Sequence, residues 1–211
     1  MTTFEHFMVG VSIPLAMGLQ KRYGWRIATL GGVSAAMPDW DALPYLFSNE
    51  IYAAAHRVWG HNLIIAALLG AAIAGIELKC DLAGRMRRFI GKQYPNFLPP
   101  NILPFEAGTS LTPKDCMIWT GIAILCQWSH LPIDMAYSGG NGLAPWPLQL
   151  LWPFSNREFS FPMVPWGDVG ATMIFVLEMF ALLKRPQQAT SAAILGLFAV
   201  SLYSCISWYV R

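Results

Sequence analysis

The chain has 211 residues, of which 55% are apolar and 12% charged, with a formal net charge of +2. A soluble domain carries about twice that share of charge, so the composition points to a multi-helix membrane unit, and it gives no support to nucleic-acid binding, which needs a basic face. The cysteines Cys80, Cys116, Cys126 and Cys205 are scattered and form no CxxC pair. They predict neither a disulfide framework nor a sulfur-rich zinc site.

The opening, MTTFEHFMVG, lacks the basic region and cleavage site of a signal peptide, so residue 1 is expected to be kept. Phe4–Gln20 and Ile27–Met37 are apolar and separated by the basic turn KRYGWR. They read either as two short spans or as a helical hairpin entering part-way, with Pro14 kinking the first. Crossing a bilayer takes ~20 apolar residues. Asn62–Leu78 meets the lower limit of ~17, and Cys116–Tyr137 is long enough while carrying His130 and Asp134 towards its end. Asp168–Leu183 is marginal in length and contains Glu178, whereas Thr190–Val210 is the cleanest candidate. The expectation is an all-α polytopic membrane protein with five or six membrane helices, forming a single domain over residues 1–211.

Three connections separate these segments. Residues 38–61 are rich in potential ligands. Residues 79–115 begin with Lys79, Arg85, Arg87, Arg88 and Lys92 and continue through Pro95, Pro99, Pro100, Pro104 and Pro113. Residues 138–167 are rich in proline and tryptophan, which suits an irregular cap at a membrane interface. The Lys/Arg bias of the loops predicts that Lys79–Lys92, Lys184–Arg185 and Lys21–Arg22–Arg26 are cytoplasmic. Alternation then places His6, residues 38–61, the helix end at Asp134 and the 138–167 loop together on the opposite face.

Those segments contain every histidine of the chain. His130-Leu-Pro-Ile-Asp134 has i, i+4 spacing, which offers a nitrogen and an oxygen on one helical face, although Pro132 can distort the turn. Read alone, it is equally a polar helix end. Pro38-Asp39-Trp40-Asp41 presents two carboxylates that either bridge metals or cap the next helix. His56 and His61 cannot share one ideal helical face and converge only if a helix starts or bends at Gly60. Arg57 between them suits a phosphate or carboxylate. His6 alone would be a structural histidine. Taken together, the imidazoles with Asp39, Asp41 and Asp134 make a nitrogen/oxygen set suited to Zn2+, or to Mn2+ or Fe2+ if carboxylates dominate. The set exceeds the needs of one tetrahedral ion, so two or more divalent metals are expected. Ser155 and Arg157 in WPFSNR lie on the same predicted face and can hold an anion or act as an interfacial anchor. Asp168 reads as a helix cap.

An N-terminal His, a PDxD, an HRxxxH, an HxxxD and a downstream WPFSxR, in that order over roughly residues 6–160, resemble one family. It is the membrane-bound metal-dependent hydrolase family, also described as LexA-binding, inner-membrane-associated hydrolase-like proteins. That pattern is in turn similar to the zinc-dependent phospholipase C and single-strand nuclease superfamily. The resemblance implies His6, Asp39, Asp41, His56, His61, His130 and Asp134 as metal ligands. With Asp39, Arg57 and Arg157 as the catalytic candidates, the expected activity is phosphoester hydrolysis in a membrane lipid or lipid-linked substrate. The expected location is a prokaryotic inner membrane, with the site on the non-cytoplasmic face. The alternatives are a structural metal site, or a regulatory role in which the basic 79–92 segment contacts a partner or anionic lipid. Transport is disfavoured, since only Glu178 is placed mid-helix.

Overall fold

A capping box opens the first helix: the Thr2 hydroxyl accepts from Glu5 N, and the Glu5 carboxylate accepts from Thr2 N. Helix α1 (Thr3–Ala16) is followed by the short α2 (Gln20–Tyr23) and by α3 (Arg26–Ala36), which returns along α1. The computed structural model describes residues 1–93, 111–139 and 145–210; the prolines expected to shape the connection at 95–104 lie outside the described residues. Helices α1 and α3 pack closely as an antiparallel hairpin, and Gly10 and Gly31 set its crossing. A Cβ added at either glycine would strike the other's carbonyl oxygen, so the two backbones touch. Small residues permit this close approach between membrane helices.

A 3-10 segment (Met37–Leu46) leads to α4 (Asn49–Ala55), capped by the Ser48 hydroxyl. An irregular turn then reaches α5 (Leu63–Cys80), whose Asn62 side chain accepts from Ile65 N. Helix α6 (Leu82–Gln93) follows, then α7 (Pro113–Ala136), which starts with a Thr112/Asp115 capping box and Pro113 in its first turn. An irregular loop over 145–169 carries one antiparallel bridge, Leu148 to Phe159, before α8 (Gly170–Lys184) and α9 (Ala189–Tyr209). Asp168, expected as a helix cap, lies one residue before the N-cap Val169, and its Oδ1 accepts from Gly170 N at 2.7 Å.

The described residues are helical with no strand, as the sequence leads one to expect. Among the described residues, three stretches are long and apolar enough to cross a membrane: Leu63–Cys80, Pro113–Ala136 and Pro186–Tyr209. Helices α1, α3 and α8, at 14, 11 and 15 residues, fall short of that length, so the expected five or six crossings are not all met by full-length spans. The four cysteines are free. Two apolar clusters hold the bundle. One joins α1, α8 and α9 around Leu15, Phe175 and Ala193; the other joins α3, α5 and α7 around Ile27, Ala74 and Trp119.

Polar ties define one end of the bundle. Arg22 pairs with Asp115 at 2.6 Å, Arg26 with Glu77 at 2.5 Å, and Gln20 donates to Thr190 at 2.8 Å. These contacts gather the end of α5, the starts of α3 and α7 and the α8–α9 turn, with their lysines and arginines. The predicted ligands sit at the opposite end.

Candidate metal centre

Four separate chain segments deliver side chains to one point, and in each the polypeptide is ending or beginning a helix. His6 comes from the first turns of α1, and Asp39 and Asp41 from the 3-10 segment. His56, Arg57 and His61 come from the turn between α4 and α5, and His130 and Asp134 from the last turns of α7. Pro132 does not separate the last two: the helix runs on to Ala136, and His130 Nε2 lies 3.5 Å from Asp134 Oδ2.

Asp41 is buried and does not cap a helix. Its Oδ1 lies 2.8 Å from His56 Nδ1; its Oδ2 lies 2.9 Å from His61 Nδ1 and accepts from Gly60 N at 2.8 Å. This is how two histidines five residues apart converge, through a shared carboxylate in an irregular turn. Burial opposes ionisation of Asp41, but the hydrogen bonds from His56 and His61 outweigh it and hold the carboxyl below its usual range. Gly60 makes the arrangement fit. A Cβ there would strike the Pro38 carbonyl and crowd the Trp40 indole, so the turn presses directly on the PDWD segment.

The tautomers follow from these partners. A carboxylate only accepts, so the Nδ1 atoms of His56 and His61 that face Asp41 carry hydrogen. His130 Nδ1 lies 2.7 Å from the Ala35 carbonyl oxygen and, for the same reason, donates to it. In the neutral rings this leaves the Nε2 atoms of His61 and His130 as lone pairs, 3.0 Å apart. Around them stand Asp39 Oδ1, at 3.6 Å from His61 and 3.5 Å from His130, and Asp134 Oδ2, at 3.3 Å from His61. Two lone pairs and two carboxylates facing one another are balanced by positive charge at this point, whether a proton on His61 or a bound cation. The His61 ring responds to this field: burial lowers its pKa, but hydrogen bonds with Asp134, Asp39 and Asp41 raise it well above the ordinary value.

His6 completes the cluster. Its ring stacks on His130 at 3.5 Å between centroids, and its Nε2 lies 3.0 Å from Asp134 Oδ1. Its Nδ1 is buried without a hydrogen-bond partner. The terminal amine of Met1 reaches the same Asp134 oxygen at 3.1 Å. Among the described residues, three groups place possible ligand atoms within 4.8 Å of one another: His6/His130/Asp134, Asp39/His61/His130 and Asp41/His56/His61. The first two share His130, so they form adjoining donor sets. The third is held together by the hydrogen bonds of Asp41, which fix how the His56 and His61 rings are presented. His6, His61, His130 and Asp134 are buried, while the Asp39 side chain is 21% exposed and marks the open side.

The two arginines part company. Arg57 is buried with φ +66°, and its guanidinium donates to the carbonyl oxygen of Trp146 at 2.7 Å and to Ser138 Oγ at 3.3 Å. It pairs with Asp134 Oδ2 at 3.4 Å and packs beside the adjoining rings of Trp146 and Trp166. Arg57 thus ties the 145–169 loop to the cluster. Arg157 is exposed, and its contacts join it to Phe159 and Ser155 instead of to the cluster. Sequence reasoning does not reach the Ala35 carbonyl, the Thr3 hydroxyl that donates to Asp39 Oδ2 at 2.8 Å, or the Tyr52 ring stacked on His56. A backbone carbonyl leaves no residue-type signal. The tryptophans of the loop do leave one, as partners for an arginine.

The fold and the cluster together define an all-helical integral membrane protein with a buried histidine–aspartate centre at one end of its bundle. The chain belongs to the YdjM inner membrane protein family, whose family model matches residues 1–211. No curated protein and no solved structure matches the chain.

Proposed function

We propose that this protein is a metal-dependent hydrolase that cleaves a phosphoester in a lipid or lipid-linked substrate at the membrane interface. One observation carries the reading. The Nε2 lone pairs of His61 and His130, each fixed by a hydrogen bond behind the ring, face one another beside two carboxylates. That donor set suits Zn2+, and the adjoining sets sharing His130 suit two ions; Mn2+ and Fe2+ accept the same donors less selectively. A bound divalent cation supplies Lewis acidity and lowers the pKa of water.

The residues of the chain divide the remaining work. Asp39, the most exposed carboxylate of the cluster, faces the substrate side and completes the donor set there. Arg57 holds Asp134 in place, and Arg157, on the exposed rim, offsets phosphate charge. Exposed Trp40, Leu43, Tyr45, Leu46, Phe47 and Phe154 surround this end, which favours an amphiphile over a free nucleotide. The positive-inside bias of the opposite end supports a non-cytoplasmic site.

The test is metal analysis of detergent-purified protein, paired with turnover assays on phospholipids, undecaprenyl-type phosphates and an aryl phosphate. Stoichiometric metal with turnover is expected, and Arg157→Ala, outside the donor set, should keep the metal while losing most of the turnover. Absence of a transition metal in the wild type would sink the proposal. A second reading, a structural metal, is favoured by the near-complete burial of His6, His61, His130 and Asp134; metal without turnover on any of these substrates would select it.

A further inference from the structure

Helix α6 (Leu82–Gln93) stands apart from the bundle: none of its residues is buried. Yet its root is fixed. Asp81 ends α5 in the left-handed conformation at φ 50° and turns the chain sharply. The Glu77 carboxylate accepts from Ala83 N at 3.0 Å, the Asp81 carbonyl accepts from Arg85 N at 2.9 Å, and Arg26 and Arg88 both reach the Asp81 carboxylate. A helix rooted so firmly at the end of a membrane-crossing segment has its position relative to the bilayer set for it.

Its sequence has two distinct surfaces. Leu82, Met86, Phe89 and Ile90 recur at helical spacing on one stripe, and Leu82, Met86 and Phe89 are 50%, 60% and 64% exposed. On the helical wheel Arg85 and Lys92 border one edge of that stripe, Arg87 borders the other, and Gly84 and Gly91 lie opposite it. Cations on both flanks of an apolar stripe let the stripe sink into the acyl boundary while the long basic side chains reach the headgroups. Lys79 and the cations of the neighbouring α2 and α3 add to the same basic end.

We infer that α6 is an interfacial helix that docks on the anionic phospholipid surface of the leaflet at the end opposite the histidine–aspartate centre. The occupant follows from charge and place: a helix that begins one residue after a bilayer-crossing segment, with basic flanks, meets lipid headgroups before it meets anything else.

The experiment uses full-length protein in nanodiscs of zwitterionic lipid with or without phosphatidylglycerol. Spin labels are placed singly at positions 86, 89 and 91, with Cys80, Cys116 and Cys205 replaced by serine and the buried Cys126 kept. Labels at 86 and 89 should be shielded from a water-soluble relaxant and open to oxygen, more so with phosphatidylglycerol, while the label at 91 stays in water. Reversing Arg85, Arg87 and Lys92 to glutamate should shift the docked-to-undocked ratio about fivefold per charge changed, or more. The variant carrying Arg85→Lys and Arg87→Lys should retain docking, and unchanged elution of all variants separates docking from misfolding. Equal water access at 86, 89 and 91 would overturn the inference. So would shielding from oxygen as well as from the water-soluble relaxant, which means a protein contact, or shielding indifferent to both phosphatidylglycerol and charge reversal.

Discussion

The Nε2 atoms of His61 and His130 stand 3.0 Å apart, each on a ring whose other nitrogen already donates, one to Asp41 and one to the Ala35 carbonyl. Neither ring can turn to relieve the approach without losing that bond. The metal predictions rest on this pair.

His61→Ala and His130→Ala are each expected to abolish stoichiometric metal in the purified protein. Asp41→Asn should weaken metal binding roughly 10- to 100-fold, because it disturbs the ring that presents the lone pair and leaves the ligand itself in place. Titration with a chelating dye reads both effects. Undiminished affinity in Asp41→Asn would remove Asp41 from the orienting role.

Metal removal should lower thermal stability. A ligand held at about 100 times its Kd stabilises the folded state by about 2.7 kcal/mol. Chelator should therefore cut the Tm of the wild type in detergent and leave that of His130→Ala unchanged. Equal shifts in both would place the chelator's action elsewhere.

Gly10 and Gly31 lie within the hairpin, away from the cluster, yet α1 carries His6 and α3 leads into Asp39 and Asp41. Gly31→Leu should force the helices apart, at a cost of about 1–3 kcal/mol. It should also reduce metal occupancy without touching a ligand. Metal content measured beside Tm checks this, and intact occupancy at lowered Tm would uncouple the hairpin from the site.

Arg57→Lys should destabilise the protein by about 3–5 kcal/mol, since a lysine cannot replace a fork that spans Trp146, Ser138 and Asp134 inside the protein. Limited proteolysis should then cut the 145–169 loop first. A neutral outcome would show that the guanidinium is dispensable.

Orientation is checked by cysteine accessibility at positions 45 and 145, both at the cluster end, in the serine background described for α6. Labelling by an impermeant reagent from the non-cytoplasmic side is expected. Protection from it in intact cells would invert the assignment.

The sequence carries much of this arrangement. Apolar run lengths locate α5, α7 and α9 to within a few residues, because a bilayer leaves few other uses for twenty apolar side chains. His130 and Asp134 are legible from helical spacing alone. The convergence of His56 with His61 is not, since it depends on a carboxylate from another segment and on a backbone that turns at Arg57. The roles of the carboxylates are hidden too. Asp39 and Asp41 look alike in PDWD, yet one faces the lone pairs of His61 and His130 and the other the N–H side of the His56 and His61 rings. The role of Arg57 is equally hidden, because the hydrogen-bond acceptors that commit it include two backbone carbonyls.

His6 and Asp134 touch although 128 positions separate them along the chain. During synthesis the amino-terminal hairpin emerges long before α7 does, so the ring of His6 waits without its carboxylate until most of the protein has been made and inserted. A cation captured by the finished cluster therefore cannot be loaded co-translationally onto the early segments in its final form. On the proposed reading, metal loading would follow assembly and report on it: a chain with one helix threaded the wrong way would present its donors on opposite sides of the bilayer and stay empty.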